Sequence, residues 1–354
     1  MTDLSLFRNR LRAAGAKPAH EQRVLRLWAQ ALPQRSGRRD IDDFLPRPLR
    51  EALPGIVAGL DGLARIVSRH PAEDGSVRLL VELADGQACE SVLLPRDGLC
   101  VSTQIGCAVG CRFCMTGQGG LLRQLGSAEI VAQVALARAV RPVRKVVFMG
   151  MGEPAHNLAN VMEAIGFLGT AGNIGHKNLV FSTVGDERVF ERLPQGPVKP
   201  ALALSLHSTR GDLRAELLPR APRIAPAELV EAGHRYARAT GYPMQVQWTL
   251  LEGVNDTPEE VEALVRLLKG RYAVLNMIPY NSVPGLPFRR PPWQKAVALA
   301  RELHARGVLT KLRNSAGQDV EGGCGQLRAR SHQSLPPGGR SGKVFSITLS
   351  SGTS

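Results

Sequence analysis

Cys107, Cys111 and Cys114 stand in the pattern C-x3-C-x2-C. Three thiolates on so short a loop can each hold one iron of a four-iron cubane, which leaves the fourth iron an open position for a substrate. A structural zinc site asks for four protein ligands and paired C-x2-C spacings, and no second pair is present. Phe113, between the second and third cysteines, stands where an aromatic would shield such a cluster from water. The chain has six cysteines, the others being Cys89, Cys100 and Cys324. A secreted disulfide scaffold spreads its cysteines over a short chain. Here five crowd between Cys89 and Cys114 and one lies far downstream, which reads as a local metal site with extra thiols.

The elements that must position this loop alternate in type. Short apolar runs occur at 145–149, 179–182, 201–206, 244–250 and 274–278, with helical patterns between them. One helix opens at Ser127-Ala128-Glu129. Another opens at Thr257-Pro258-Glu259-Glu260, which reads as a capping box with proline in the first turn. A third runs from Trp293 to Arg306 and stops at Gly307. Repeated strand–helix units imply an α/β fold with a parallel sheet or barrel. Four segments are expected. Residues 1–58 form a basic helical domain, with Pro46, Pro48 and Pro54 ending its helical run. Residues 59–99 form a β-rich connection whose Asp85-Gly86 marks a turn. Residues 100–327 form the core, and 328–354 a basic flexible tail.

The chain has 354 residues, 44% of them hydrophobic and 21% charged, an ordinary globular balance. No stretch is long and apolar enough to span a membrane. The first residues meet Arg8, Arg10 and Arg12 where a signal peptide would have its apolar core, so a cytoplasmic protein is expected. Lys plus Arg total 45 against 31 Asp plus Glu, a net charge of +14. Such an excess attracts polyanions, RNA or DNA first among them. Aromatics are only 5%, too few for a broad base-stacking platform.

The cysteine loop resembles the signature of the radical S-adenosylmethionine superfamily. Further pieces, in order, resemble the RlmN/Cfr group of RNA adenine methyltransferases over about residues 60–330. They are Leu99-Cys100-Val101-Ser102-Thr103-Gln104-Ile105-Gly106-Cys107, Phe148-Met149-Gly150-Met151-Gly152-Glu153-Pro154 and Phe181-Ser182-Thr183-Val184-Gly185. Leu204-Ser205-Leu206-His207-Ser208, Asn276-Met277-Ile278-Pro279-Tyr280-Asn281 and Gly323-Cys324-Gly325-Gln326-Leu327 complete the set. The resemblance implies a partial (β/α)6 barrel with a [4Fe-4S] cluster on Cys107, Cys111 and Cys114 at the strands' C-terminal ends. It implies S-adenosylmethionine held by Gly152, Glu153, Ser182, Ser205, Leu206, His207 and Asn281. Physically, Gly150 and Gly152 let backbone approach a ligand, and Glu153 can accept from its ammonium. Ser182 and Ser205 can also serve as helix caps, and a lone histidine such as His207 is more often structural.

The same resemblance implies a mechanism. Cys324, in a loop kept adaptable by Gly322, Gly323 and Gly325, takes a methyl group from one S-adenosylmethionine. A second yields a 5′-deoxyadenosyl radical that removes hydrogen from the S-methyl group. The carbon radical adds to an adenine carbon, carbon 2 or carbon 8, in ribosomal or transfer RNA. Glu90 accepts the ring proton, and Cys100 attacks to release the product, leaving a transient Cys100–Cys324 disulfide. Adenine ring carbons are too electron-poor to attack a sulfonium directly, and a covalent thioether divides the difficulty. Glu90 also has an ordinary reading, a glutamate on an exposed strand face. Cys89 reads as a packed strand residue. The partners implied are RNA and an electron donor such as flavodoxin or ferredoxin, with the protein a monomer. Two rivals stand beside this reading: a radical enzyme acting on a peptide or metabolite, and a non-catalytic RNA-binding protein with a structural metal.

Overall fold

A computed structural model describes residues 1–37 and 39–328. Apart from Arg328, the tail expected over 328–354 lies outside the described residues. Four helices come first: α1 (Leu4–Ala13), α2 (Pro18–Ala29), α3 (Ile41–Phe44) and α4 (Arg47–Asp61). A meander follows of β1 (Ala64–Pro71), β2 (Val77–Leu83), β3 (Ala88–Leu94) and β4 (Gly98–Cys100). The cysteine loop lies between β5 (Gln104–Gly106) and β6 (Leu121–Gln124), with the short α5 (Met115–Gln118) at its end. Then helices and strands alternate. They are α6 (Ser127–Arg138), β7 (Lys145–Phe148), α7 (Leu158–Gly169), β8 (Leu179–Thr183), α8 (Glu187–Arg192) and β9 (Ala201–Ser205). After α9 (Gly211–Leu217) come α10 (Pro226–Thr240), β10 (Met244–Leu250), α11 (Pro258–Leu268), β11 (Ala273–Pro279), α12 (Trp293–Ala305) and β12 (Thr310–Leu312).

One 10-stranded sheet runs β1-β2-β3-β4-β7-β8-β9-β10-β11-β12. Its first four strands pair antiparallel. From β4 onward every pairing is parallel. This is the partial strand–helix barrel expected, entered from an antiparallel extension that tight turns make possible. Parallel strands need crossovers, and the helices between them supply these. No helix among the described residues is long and apolar enough to cross a membrane.

Two local expectations fail for physical reasons. Pro54 does not end a helix; it lies inside α4. Proline inside a helix costs about 3 kcal/mol. The buried stripe of Leu49, Leu53, Ile56 and Leu60 outweighs that loss. The capping box of α11 is half made. Thr257 accepts from the Glu260 backbone N–H, but the Glu260 carboxylate turns away to the loop after β9. There it accepts from the Thr209 N–H at 2.9 Å and from the hydroxyls of Ser208 and Thr209.

The first segment is docked rather than appended. The Leu4 N–H donates to Ser127 Oγ at 2.8 Å, and the Ala128 N–H to the Thr2 carbonyl at 3.1 Å. Helix α6 is buried from Ser127 to Ala137 without a single apolar face. It lies among β1, α7 and the N-terminal helices α2 and α4, which leave it no solvent side.

Glu260 is buried, and its removal would strand the donors of Ser208 and Thr209. Glu260→Ala should lower stability by roughly 2–3 kcal/mol, read as a lower urea midpoint at unchanged slope. An unchanged midpoint would show that the loop after β9 does not depend on it.

Candidate active site

The C-terminal ends of the parallel strands surround one cavity. Its wall includes Cys107, Cys111, Cys114, Gly152, Glu153, Ser182, Ser205, His207 and Cys324. Residues separated by more than two hundred positions thus meet in one place. Leu206 and Asn281 are not in the wall. Leu206 is fully buried on the helix side of β9. The Asn281 amide donates to Ser315 Oγ at 2.8 Å and to the Cys324 carbonyl at 2.9 Å, so it holds the loop that carries Cys324.

The three loop cysteines sense one another. Burial raises the Cys111 thiol well above its usual range, and charge on Cys114 and Cys107 raises it further. Burial likewise pushes Cys107 up to about 12. Metal binding at such thiols must displace protons. Among the described residues no three His, Cys, Asp or Glu side chains converge tightly enough for a single metal ion. A cubane makes a different demand, since each thiolate takes a separate iron. Three thiols facing one cavity, backed by Val109 and Phe113, fit that group. Phe113 meets the His207 ring edge-on at 4.9 Å between centroids and lines the same cavity as the cysteines.

His207 is a positioned neutral ring. Its Nδ1 accepts from the Thr249 N–H at 3.0 Å, which leaves the proton on Nε2. Burial, then the charge of Arg214, lowers its pKa to about 3. Both carboxylate oxygens of Glu153 are anchored: Oε1 accepts from the Ala155 N–H and Oε2 from the Val184 N–H, each at 3.0 Å. Burial nonetheless pushes Glu153 up to about 7. Gly152 has φ +104°, and a Cβ there would lie 2.6 Å from the Gln104 side chain. Gln104 needs that approach, because its Oε1 accepts from the Glu153 N–H at 2.7 Å.

Cys324 and Cys100 lie close enough for charge on one to act on the other. Burial raises the Cys100 thiol, and charge on Cys324 raises it further. Burial raises Cys324 too, opposed by a hydrogen bond with Ser315 and by Arg313. The residue as a whole is exposed, while its thiol is turned into the cavity wall, where burial acts on it. All six cysteines are free thiols in this structure. The glycines around Cys324 serve close approach rather than slack. A Cβ on Gly323 would lie 2.9 Å from Asn281 Nδ2, and Gly325 has φ +83°.

Glu90 is not on an exposed strand face. It is fully buried, ion-paired with Arg78, and its Oε2 accepts from the Arg328 N–H at 2.9 Å. It is outside the cavity wall but touches the segment that follows Cys324. Cys89, one residue earlier, is fully buried, with its thiol pushed up to about 12 by burial.

Several residues that build the site escaped sequence reasoning. Arg214 is buried beside Cys111 and Glu153 and donates to the carbonyls of Val184 and Ser205. Burial lowers its pKa to about 10. Gln133 on α6 accepts from the Ser102 N–H at 2.9 Å and donates to the Ser102 carbonyl at 2.9 Å. Ser102 Oγ in turn donates to the Glu90 carbonyl and accepts from the Met151 N–H. Ser315 and Gln104 complete the set. Ser102 and Gln104 stand inside the Leu99–Cys107 motif, and Arg214 and Gln133 had no sequence signal.

Residues 101–268 match the radical SAM superfamily. A protein of Leptothrix cholodnii named "Probable RNA methyltransferase" is 76% identical over 327 residues, covering 92% of this chain and 94% of that one. A protein of the same name from Pseudomonas aeruginosa is 67% identical over 326 residues, 92% of this chain and 94% of the other. The crystal structure of a radical SAM methyltransferase from Sphaerobacter thermophilus superposes with a TM-score of 0.79 at 35% identity, covering 93% of this chain and 98% of that one. With cysteines, glutamate and glycines gathered at one barrel rim, and relatives so similar along almost their whole length, the chain belongs to the radical S-adenosylmethionine family of RNA methyltransferases, enzymes whose cofactors are a [4Fe-4S] cluster and S-adenosylmethionine.

Proposed function

We propose that this enzyme methylates an adenine carbon, carbon 2 or carbon 8, of ribosomal or transfer RNA through an S-methylcysteine at Cys324. The observation that carries the reading is the place of Cys324, in one cavity with Cys107, Cys111 and Cys114 and beside Cys100. A radical enzyme acting on a peptide or metabolite has no use for that second thiol pair.

Cys107, Cys111 and Cys114 hold the cluster. When bound, the cluster and S-adenosylmethionine supply the methyl group and the radical chemistry. Gly152 gives the ligand backbone access, and Glu153 accepts from its ammonium group. Ser182, Ser205 and the Nε2–H of His207 face the same space for its polar ends. Phe113 keeps water from the cluster. Cys324 is the nucleophile that receives the methyl group. Its exposure as a residue of the cavity wall gives RNA access to it. Cys100, deeper and more strongly raised, stays a thiol until it attacks the Cys324 sulfur and releases the methylated base. Glu90 receives the ring proton, and Leu206 and Asn281 support the site from behind it. An electron donor such as flavodoxin or ferredoxin, a monomeric state and a cytoplasmic location belong to the same proposal.

Peptide mass spectrometry across Cys324, on protein made with its cluster intact, should find an added methyl group; an unmodified thiol with S-adenosylmethionine in excess would end the proposal. Cys100→Ala should accumulate protein covalently joined to RNA, visible as a nuclease-sensitive band in denaturing gels. Normal turnover by that variant would remove Cys100 from the reaction. Glu153 is protonated below its pKa and ionised above it. Affinity for S-adenosylmethionine should therefore rise between about pH 6 and pH 8, by up to about tenfold per unit on the acid side. Equilibrium binding to the cluster-loaded enzyme reads this, and Glu153→Gln should flatten the profile.

A further inference from the structure

Barrel interiors are usually filled with branched apolar side chains. This one carries a polar strip on its β10–β11 side, reaching up to Gln247 in the cofactor cavity. On β10 and β11, Val246, Trp248, Leu275 and Met277 pack on the helix side. Alternation turns Gln245, Gln247 and Asn276 the other way, into the barrel. Asn276 is buried, and its Oδ1 has no hydrogen-bond partner among the described residues.

Strand β12 extends this polar surface. Its Leu312 packs on the helix side, so Lys311 and Arg313 face inward. Lys311 is in register with Asn276. Because β12 is the last strand of the sheet, both side chains are exposed at an open edge. Across the barrel, Lys145 lies on the face that carries Cys100: Gly98 pairs with Lys145 and Cys100 with Val147. Burial holds the Lys145 ammonium below its usual range, and the charges that reinforce this are Arg313 and Lys311. Arg313 also acts on the Cys324 thiol. Among the described residues, none of the three cations has a carboxylate within ion-pair distance. Three like charges close enough to act on one another oppose folding, and among the described residues no carboxylate pairs with them. A guanidinium fork with two ammonium groups matches the oxygens of a phosphodiester.

We propose that Lys145, Lys311 and Arg313 form a phosphate-binding site that grips the RNA backbone while the target base stands over Cys324. The site rests on the RNA methylation reading above and adds where the strand is held. Arg313 lies close enough to Cys324 for its charge to act on that thiol, so the phosphodiester of a base brought there would come within reach of the cations.

The test is fluorescence anisotropy of a fluorescein-labelled single-stranded oligoadenylate with full-length, cluster-loaded enzyme over a series of salt concentrations. The double variant Lys311→Ala/Arg313→Ala should weaken binding at least tenfold at low salt. The slope of log Kd against log salt should fall by about 1.4, roughly 0.7 for each lost contact to a single strand. Iron content and S-adenosylmethionine affinity should stay at wild-type levels. The charge-keeping pair Lys311→Arg/Arg313→Lys should retain the wild-type slope. Wild-type enzyme that binds the oligonucleotide without salt dependence would overturn both this site and the RNA reading beneath it. Salt-dependent wild-type binding with an unchanged double variant would overturn the site alone. A double variant that loses S-adenosylmethionine affinity but keeps RNA binding would assign the cations to that ligand's carboxylate and likewise overturn the proposal.

Discussion

Arg78 and Glu90 form an ion pair inside the protein, and the loop carrying Cys324 hangs from it. Arg78 Nε donates to the Val320 carbonyl at 2.5 Å, and Glu90 Oε2 accepts from the Arg328 N–H at 2.9 Å. Burying two charges is expensive unless their remaining hydrogen-bonding capacity is met, and removal of one partner typically costs about 3–5 kcal/mol. Here the loop itself supplies those bonds. On the other side, the Met115 N–H donates to the Gly325 carbonyl at 2.7 Å and Thr116 Oγ1 to the Leu327 carbonyl at 2.5 Å. The loop is therefore clamped between the antiparallel extension and the end of the cysteine loop. β2 and β3, which carry the ion pair, thus help to fix the loop that bears Cys324.

The clamp ties Glu90 to two segments at once. It lies outside the cavity wall, pairs with Arg78 and accepts from the Arg328 N–H just beyond the Cys324 loop. The proton-accepting role proposed for it would therefore fall on a carboxylate that also anchors that loop.

What the sequence made legible was local or repetitive. The spacing of Cys107, Cys111 and Cys114 declares its chemistry because all three share one loop. The alternation of strands and helices follows from periodicity. The place of Cys324 beside the cysteine loop was legible only through resemblance, since nothing local to it points to a loop more than two hundred residues away. The amide contacts were illegible for the same reason. Gln104 meets Glu153 across 49 residues, and Gln133 meets Ser102 across 31. Neither pairing has a periodicity or a composition. Glu260 shows the opposite failure: a good local signal, the capping box, lost to tertiary donors that needed a carboxylate more.

The thiols complete the design. Burial raises Cys100 and Cys324 alike, so neither would be a nucleophile by default. At Cys324 the Ser315 hydrogen bond and the Arg313 charge oppose the rise while charge on Cys114 adds to it; at Cys100 only a backbone hydrogen bond from Met149 opposes it, and only Cys324 is an exposed residue. In the proposed reaction this asymmetry favours Cys324 as the thiol that takes the methyl group and leaves the enclosed Cys100 for the release step.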